Sequence, residues 1–256
     1  MPLTLVTVGT GTVVPHASRS SPAHWVEAGP ARVLMDCGAG TIHALARCGL
    51  PWQTITHVAI SHFHTDHIGE LPALLFAMQY GTDTPREAPL AILGPVGVRA
   101  RLEGLAAAFG PWVTDPPWPL TIEEIRPGTD HALAGRVTLS AHRTPHTEES
   151  LAFAVATADA RLAYTGDTGA SDALADWARG CDLLLAECSL PEDRALAMHL
   201  TPRQAGALAA RAEAKMLVLT HLYPPVEAVD IRADVAASYG GPVVIARDGD
   251  RFTVGG

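Results

Sequence analysis

At 256 residues, 48% of them apolar and 18% charged, the chain has enough apolar surface to bury a substantial core, which excludes an intrinsically disordered protein. A formal net charge of −9 excludes a broad electropositive surface for nonspecific nucleic-acid binding, though not a local basic patch. No cationic stretch leads into an apolar one at the N-terminus and no apolar run approaches about 18 residues, so neither an export signal nor a membrane span is expected; the cytoplasm is the expected compartment.

Leu3 to Val8 alternates as a strand does, and Gly9-Thr10-Gly11 turns it. The third glycine and the following helix of a dinucleotide fingerprint are missing, so the turn is not read as one. The polar, proline-bounded loop from Pro15 to Pro22 is expected to border a site. His24 to Ala28 and Arg32 to Met35 form a predicted hairpin around Gly29-Pro30 that feeds Asp36-Cys37-Gly38-Ala39-Gly40. Asp36, a carboxylate ending a buried strand, either bonds a metal-ligating histidine or caps the next predicted helix, Thr41 to Cys48, and both roles stay open. Cys37, Cys48, Cys181 and Cys188 form no CxxC pair, which points to reduced thiols rather than a zinc ribbon or a disulfide framework.

Val58 to Ser61 is a predicted strand, and Ile68 to Tyr80 is apolar at helical spacing. Ala91 to Leu93 reads as a short strand, after which Gly94-Pro95 opens a helix to about Phe109. The segment from Gly110 to Pro119, with Trp112 and Trp118, suits either a pocket wall or a packed loop. Val137 to His142 and Leu151 to Ala156 are strands flanking Arg143 to Ser150. Arg161 to Thr165 leads into Gly166-Asp167-Thr168, Ala173 to Arg179 is helical, and Leu183 to Ala186 is a strand ended by Glu187-Cys188-Ser189. Thr201 before Pro202 is a helix start, a capping hydroxyl with proline in the first helical position, and the helix runs to about Ala214. Met216 to Thr220 is a strand ending in His221, Val226 to Tyr239 is the last helix, and Val243 to Ala246 and Arg251 to Val254 are closing strands.

Strands precede every candidate ligand and no linker divides the chain. The expectation is one domain over residues 1–256 in the α/β (α+β) class. Two central sheets covered outside by helices fit this alternation better than a single doubly wound sheet, with the site along one edge where strand ends meet.

The stretch His62-Phe63-His64-Thr65-Asp66-His67 holds three imidazoles and a carboxylate, more ligands than one metal can take from so short a segment, so two metals are read. His62 and His64 share a face of an extended segment, while Asp66 and His67, further round the bend, aim at a second position. Imidazole and carboxylate together suit zinc, with iron or manganese as alternatives.

With His146, Asp167 and His221 following at or just after strands, the ligand order resembles that of the metallo-β-lactamase superfamily. The resemblance covers most of the chain, including Gly9-Thr10-Gly11 and Asp36-Cys37-Gly38. Within that superfamily the chain looks most like the ribonuclease Z-like branch of phosphodiesterases, on Gly166-Asp167-Thr168, Glu187 and His199-Leu200-Thr201. The resemblance implies a four-layer αββα sandwich and two Zn2+ ions, with Mn2+ or Fe2+ as alternatives. It implies that His62, His64 and His146 hold one metal, that Asp66, His67 and His221 hold the other, and that Asp167 bridges them. A hydroxide between two such cations is nucleophilic near neutral pH, since metal binding lowers the pKa of water from about 15.7 to about 7. His199 is then the candidate acid for the leaving oxygen, oriented by Glu187, whose carboxylate favours the imidazolium. His199, Glu187 and Asp66 form the candidate catalytic set. His16, His24, His43, His57, His131 and His142 are read as surface or satisfied structural groups.

The chain also departs from that branch. Little sequence separates Gly94-Pro95 from Val137, leaving no room for a long arm that grips transfer RNA, and Leu222-Tyr223-Pro224-Pro225 stands where a serine and a basic residue are common. The expected partner is a small-molecule or nucleic-acid-end ester, without a membrane and with a homodimer as the implied assembly. Rival readings keep the fold and metals but act on sulfate esters (with Arg19 as a mark), lactones or thioesters, or on transfer RNA 3′ ends. A metal-binding module without catalysis is disfavoured by the complete ligand set, and flavo-diiron chemistry by His64.

Overall fold

Short runs of aliphatic residues punctuated by glycine form fourteen strands: β1 (Leu3–Gly9), β2 (Ala23–Ala28), β3 (Ala31–Met35), β4 (His57–Ala59), β5 (Leu90–Pro95), β6 (Leu120–Ile125), β7 (Asp130–Ala132), β8 (Thr138–Arg143), β9 (Leu151–Ala156), β10 (Arg161–Tyr164), β11 (Leu183–Glu187), β12 (Leu217–Thr220), β13 (Val243–Ile245) and β14 (Arg251–Val254). This computed structural model describes residues 3–255, so Met1, Pro2 and Gly256 of the expected 1–256 unit lie outside the described residues. The strands make two seven-stranded mixed sheets, in the orders β14-β1-β2-β3-β4-β5-β6 and β13-β12-β11-β10-β9-β8-β7. β14 to β3 pair antiparallel and β3 to β6 parallel; in the second sheet β7 to β10 pair antiparallel and β10 to β13 parallel.

Each parallel step needs a crossover, and helices supply it. α1 (Thr41–Arg47), α2 (Thr65–Ile68), α3 (Leu71–Tyr80) and α4 (Val98–Phe109) serve the first sheet; α5 (Asp172–Trp177), α6 (Pro202–Arg211) and α7 (Ile231–Ala236) serve the second. Alternate strand residues then bury on opposite faces. Leu5, Val33, Phe153 and Leu185 meet between the sheets. Trp25 and Leu34 pack outward under Leu45, Leu74 and Val98, while Ala163 and Leu184 pack under Leu174, Ala209 and Val235. The result is the expected αββα sandwich. Thr201 and Gln204 form a reciprocal capping box at α6, with Pro202 in its first turn, as predicted.

Several boundaries differ from expectation for identifiable reasons. The predicted Ile68–Tyr80 helix is two helices, because Pro72 lacks an N–H and its ring would clash with the carbonyl four residues back, at Ile68. Asp66 and His67 therefore sit on the one-turn α2 rather than on an open bend. Gly94 and Pro95 belong to β5, and α4 starts only after Gly97, a left-handed glycine at φ 102°. The predicted Val226–Tyr239 helix is a 3-10 turn at Val226–Ala228 followed by α7, which Asp230 caps by accepting from the Ala233 N–H. Trp118 is buried in the outer core of the first sheet and Trp112 packs against Phe76, so that segment is a packed loop. No helix among the described residues is long and apolar enough to cross a membrane.

Candidate metal centre

The site is built where strand ends of both sheets meet. β4 ends at Ala59, and the chain continues extended to His64, whose φ of −63° and ψ of 146° put it just before α2. Asp66 and His67 follow on α2. From the second sheet come His146, in the turn between β8 and β9, Asp167 after β10, and His221 after β12. Two backbones are held in the left-handed region at non-glycine residues, Asp36 (φ 60°) and His221 (φ 55°), a conformation that persists only where surroundings enforce it. Gly38 is required beside them: a Cβ there would collide with the Asp66 carbonyl oxygen.

Four of the five candidate ligand rings have one nitrogen committed outward. His67 Nδ1 donates to Asp36 Oδ2 at 2.8 Å. The Ser61 hydroxyl donates to the same oxygen at 2.9 Å, leaving its lone pairs to accept from His62 Nδ1 at 3.0 Å. The Ser189 hydroxyl donates to Glu187 and accepts from His221 Nδ1 at 2.9 Å. His146 Nδ1 donates to the Met198 carbonyl at 3.0 Å. These bonds fix the tautomers, so the four Nε2 lone pairs are free to face inward.

The inward atoms converge. Asp167 Oδ2 lies 3.8 Å from His62 Nε2 and 3.7 Å from His146 Nε2, while its Oδ1 lies 3.3 Å from His67 Nε2 and 3.4 Å from His221 Nε2. His64 presents Nδ1 to His146 Nε2 at 3.2 Å, and Asp66 Oδ2 lies 3.5 Å from His221 Nε2 and 3.9 Å from His67 Nε2. Such spacings resemble the edges of a tetrahedral zinc shell, about 3.3 Å for bonds of about 2.0–2.1 Å. His62 Nε2, His67 Nε2, His221 Nε2 and Asp167 Oδ1 are buried without a hydrogen-bond partner, a costly state that a cation would relieve. Three overlapping groups among the described residues could hold a cation: His62, His64, His146 and Asp167; Asp66, His67 and His221; and Asp167, His199 and His221; the first two share no residue and together fit a pair of divalent cations. Burial pushes Asp167 up, but His221 and His67 outweigh it and hold the carboxyl well below its usual range. Burial pushes His62 down, and His67 adds to this.

Glu187, fully buried at the end of β11, accepts from Thr168 N at 2.6 Å and Leu200 N at 3.2 Å, and both its oxygens lie 3.1 Å from His199 Nδ1. Burial alone would lower the His199 pKa; the hydrogen bond and charge of Glu187 outweigh it and raise the pKa above 6.5. The His199 ring stacks 5.7 Å from His221 and lies 4.9 Å from His146. The structure thus brings together every candidate site residue the sequence singled out.

Of the two roles left open for Asp36, the bond to His67 is present and the cap is not: Gly40 holds the N-cap position of α1, and Glu70 rather than Asp36 accepts from the first-turn Ile42 N–H at 2.9 Å. Sequence reasoning missed Tyr164, whose hydroxyl donates to Asp36 Oδ2 at 2.8 Å across the two sheets, and Ser61 and Ser189. The serines carried a signal, standing beside His62 and two residues after Glu187. His24 corrects an expectation: it is neither exposed nor satisfied, but fully buried edge-on to Tyr164 with both ring nitrogens unpartnered among the described residues, and burial, with His67 and His221 adding to it, pushes its pKa down to about 3. Arg19 donates to Glu227 at 2.8 Å and to Thr10 Oγ1 and the Ala246 carbonyl at 2.6 Å, tying its loop to the rest of the chain. The Pro15–Pro22 loop lines a cavity of about 660 Å³ with Arg47 and Asp248.

Residues 31–222 match the beta-lactamase superfamily domain. Ribonuclease Z of Mycobacterium sp. (strain KMS) is 31% identical over 274 residues, spanning 96% of this chain and 94% of that protein. Among solved structures, the metallo-beta-lactamase fold protein YhfI from Bacillus subtilis superposes with a TM-score of 0.85 at 25% identity, covering 99% of this chain and 100% of that one. The short form of human tRNase Z superposes with a TM-score of 0.79 at 25% identity, covering 97% and 98%.

Proposed function

This chain belongs to the β-lactamase superfamily, on its ribonuclease Z-like side, and from that premise we propose that it is a dinuclear zinc phosphodiesterase. Membership makes it a metal-dependent hydrolase of ester bonds. The observation that carries the finer reading is Asp167, one of whose oxygens faces His62 and His146 while the other faces His67 and His221.

In this reading His62, His64 and His146 would hold one zinc and Asp66, His67 and His221 the other, with Asp167 shared between the two sets. When bound, the cations supply an activated water and stabilise charge growing on the phosphoryl oxygens. The chain's own residues do the rest. Asp36 and Ser189 hold the rings of His67 and His221 in one tautomer. Glu187 keeps His199 protonated through Nδ1, so the other ring nitrogen carries the proton that the leaving oxygen needs. A cavity of about 600 Å³ beside the motif, lined by Phe63, Val96 and Leu151 together with Arg101, Arg143, Glu148 and Glu149, offers an apolar wall edged by charges of both signs to the organic part of the ester. The proposal keeps one domain, a cytoplasmic location and a small or nucleic-acid-end diester as substrate.

The test is kcat/KM of the zinc-loaded protein on bis(p-nitrophenyl) phosphate beside His199→Ala. A loss of about 10²-fold or more at unchanged zinc content is expected for a missing general acid. A zinc-bound wild type that hydrolyses no diester would end the proposal. The ribonuclease Z relatives favour one second reading, in which the diester is an RNA end; efficient cleavage of precursor transfer RNA would establish it.

A further inference from the structure

We propose that Tyr223 is a catalytic residue of this site: a neutral hydrogen-bond donor to an anionic oxygen of the reacting ester, matched to a monoanionic diester. The inference rests on the phosphodiesterase reading and deepens it.

Tyr223 stands two residues after His221, beyond that residue's left-handed turn and before Pro224-Pro225. Its own N–H is held by the Ser189 carbonyl at 3.3 Å. The ring meets His199 edge-on at 6.1 Å and 68°, and His221 at 5.7 Å and 74°. Since those two imidazoles are stacked with an interplanar angle of 16°, one phenol ring walls both the candidate acid and a candidate ligand. It is half-buried.

A partly buried phenol normally finds a partner. The Tyr164 and Tyr239 hydroxyls do, at Asp36 and at the Ala214 carbonyl, both at 2.8 Å. Among the described residues the Tyr223 hydroxyl has none, although it lies in the field of Asp66, Asp167 and Glu187. An ordinary phenol, with a pKa of about 10, keeps its proton at neutral pH. Engaged by no group of the chain among the described residues and open to solvent beside His199, the hydroxyl can exchange water for an acceptor on the substrate. Among the described residues no guanidinium or ammonium pairs with Asp66, Asp167 or Glu187. The donor that Tyr223 adds beside the His199 imidazolium is uncharged, where a lysine or arginine would add a second cation, which suits an ester carrying one negative charge better than a phosphomonoester carrying two.

The experiment uses the zinc-loaded full chain with bis(p-nitrophenyl) phosphate and p-nitrophenyl phosphate. Tyr223→Phe should lower kcat on the diester about 10-fold or more, with KM within about twofold and zinc content unchanged, because the lost donor acts on charge that grows in the transition state. Tyr223→Lys should raise monoester turnover relative to diester turnover. A Tyr223→Phe variant with wild-type kcat, or one whose loss follows a loss of zinc, overturns the donor role. An unchanged monoester-to-diester ratio in Tyr223→Lys overturns the substrate class. A zinc-bound wild type inert to diesters overturns the parent reading, a result distinct from either.

Discussion

Glu187→Gln separates proton supply from mere positioning. The substitution keeps the shape of a fully buried side chain and an acceptor for Thr168 N, but removes the charge facing His199 Nδ1 at 3.1 Å. In the native protein, burial lowers the His199 pKa and Glu187 more than reverses this, so the imidazolium persists above the ordinary 6.5. Without the carboxylate only Asp167 still opposes burial and His67, and the pKa falls. A hydrogen bond to a charged partner contributes about 1.5–3 kcal/mol, which is about 10- to 100-fold in the protonation equilibrium. Bound cations would act on both proteins alike. The assay is kcat/KM from pH 5 to 9 on a chromogenic diester. The alkaline limb, where the acid loses its proton, should move down accordingly, giving a loss of about 10- to 100-fold at pH 8 that shrinks towards pH 5.5. A loss of the same factor at every pH, or an alkaline limb that stays in place, would refute the reasoning.

Two further outcomes follow from the ligand shell. Asp36→Asn removes the carboxylate that orients His67 and should weaken zinc binding about 10- to 100-fold in competition with a chromophoric chelator; equal affinity would show that the bond at 2.8 Å orients nothing. Stripping the metal leaves His62, His67, Asp167 and His221 with buried, unpartnered atoms. With free zinc at about 1,000 times its Kd, the lost linkage is about 4 kcal/mol, or about 8–16 °C in Tm for a chain of this size, and an unmoved thermal transition would contradict it.

The candidate metal ligands were legible because four of them stand in one short stretch and the others follow hydrophobic strands, which alternation and turn chemistry reveal. Their supporting bonds were not. Tyr164 reaches Asp36 across a sequence separation of 128, and periodicity gives the face a residue occupies, not the face it meets. His24 looked structural for the same reason: its place on β2 shows nothing of the Tyr164 ring waiting opposite. β6 and β7 escaped because their edge positions carry exposed polar residues such as Glu123, Glu124 and Asp130, which erase the alternation of a half-buried strand. Helix limits failed at Pro72 and Asp230, where local chemistry overrode an apolar pattern that ran straight through.

The most direct test of the central claim is a titration of metal-free protein with zinc, following bound metal and hydrolysis of bis(p-nitrophenyl) phosphate together. Ligand sets meeting at Asp167 predict turnover that is absent without zinc and levels off at two equivalents. Full activity at one equivalent, or two bound equivalents with no hydrolysis of the diester, would contradict it.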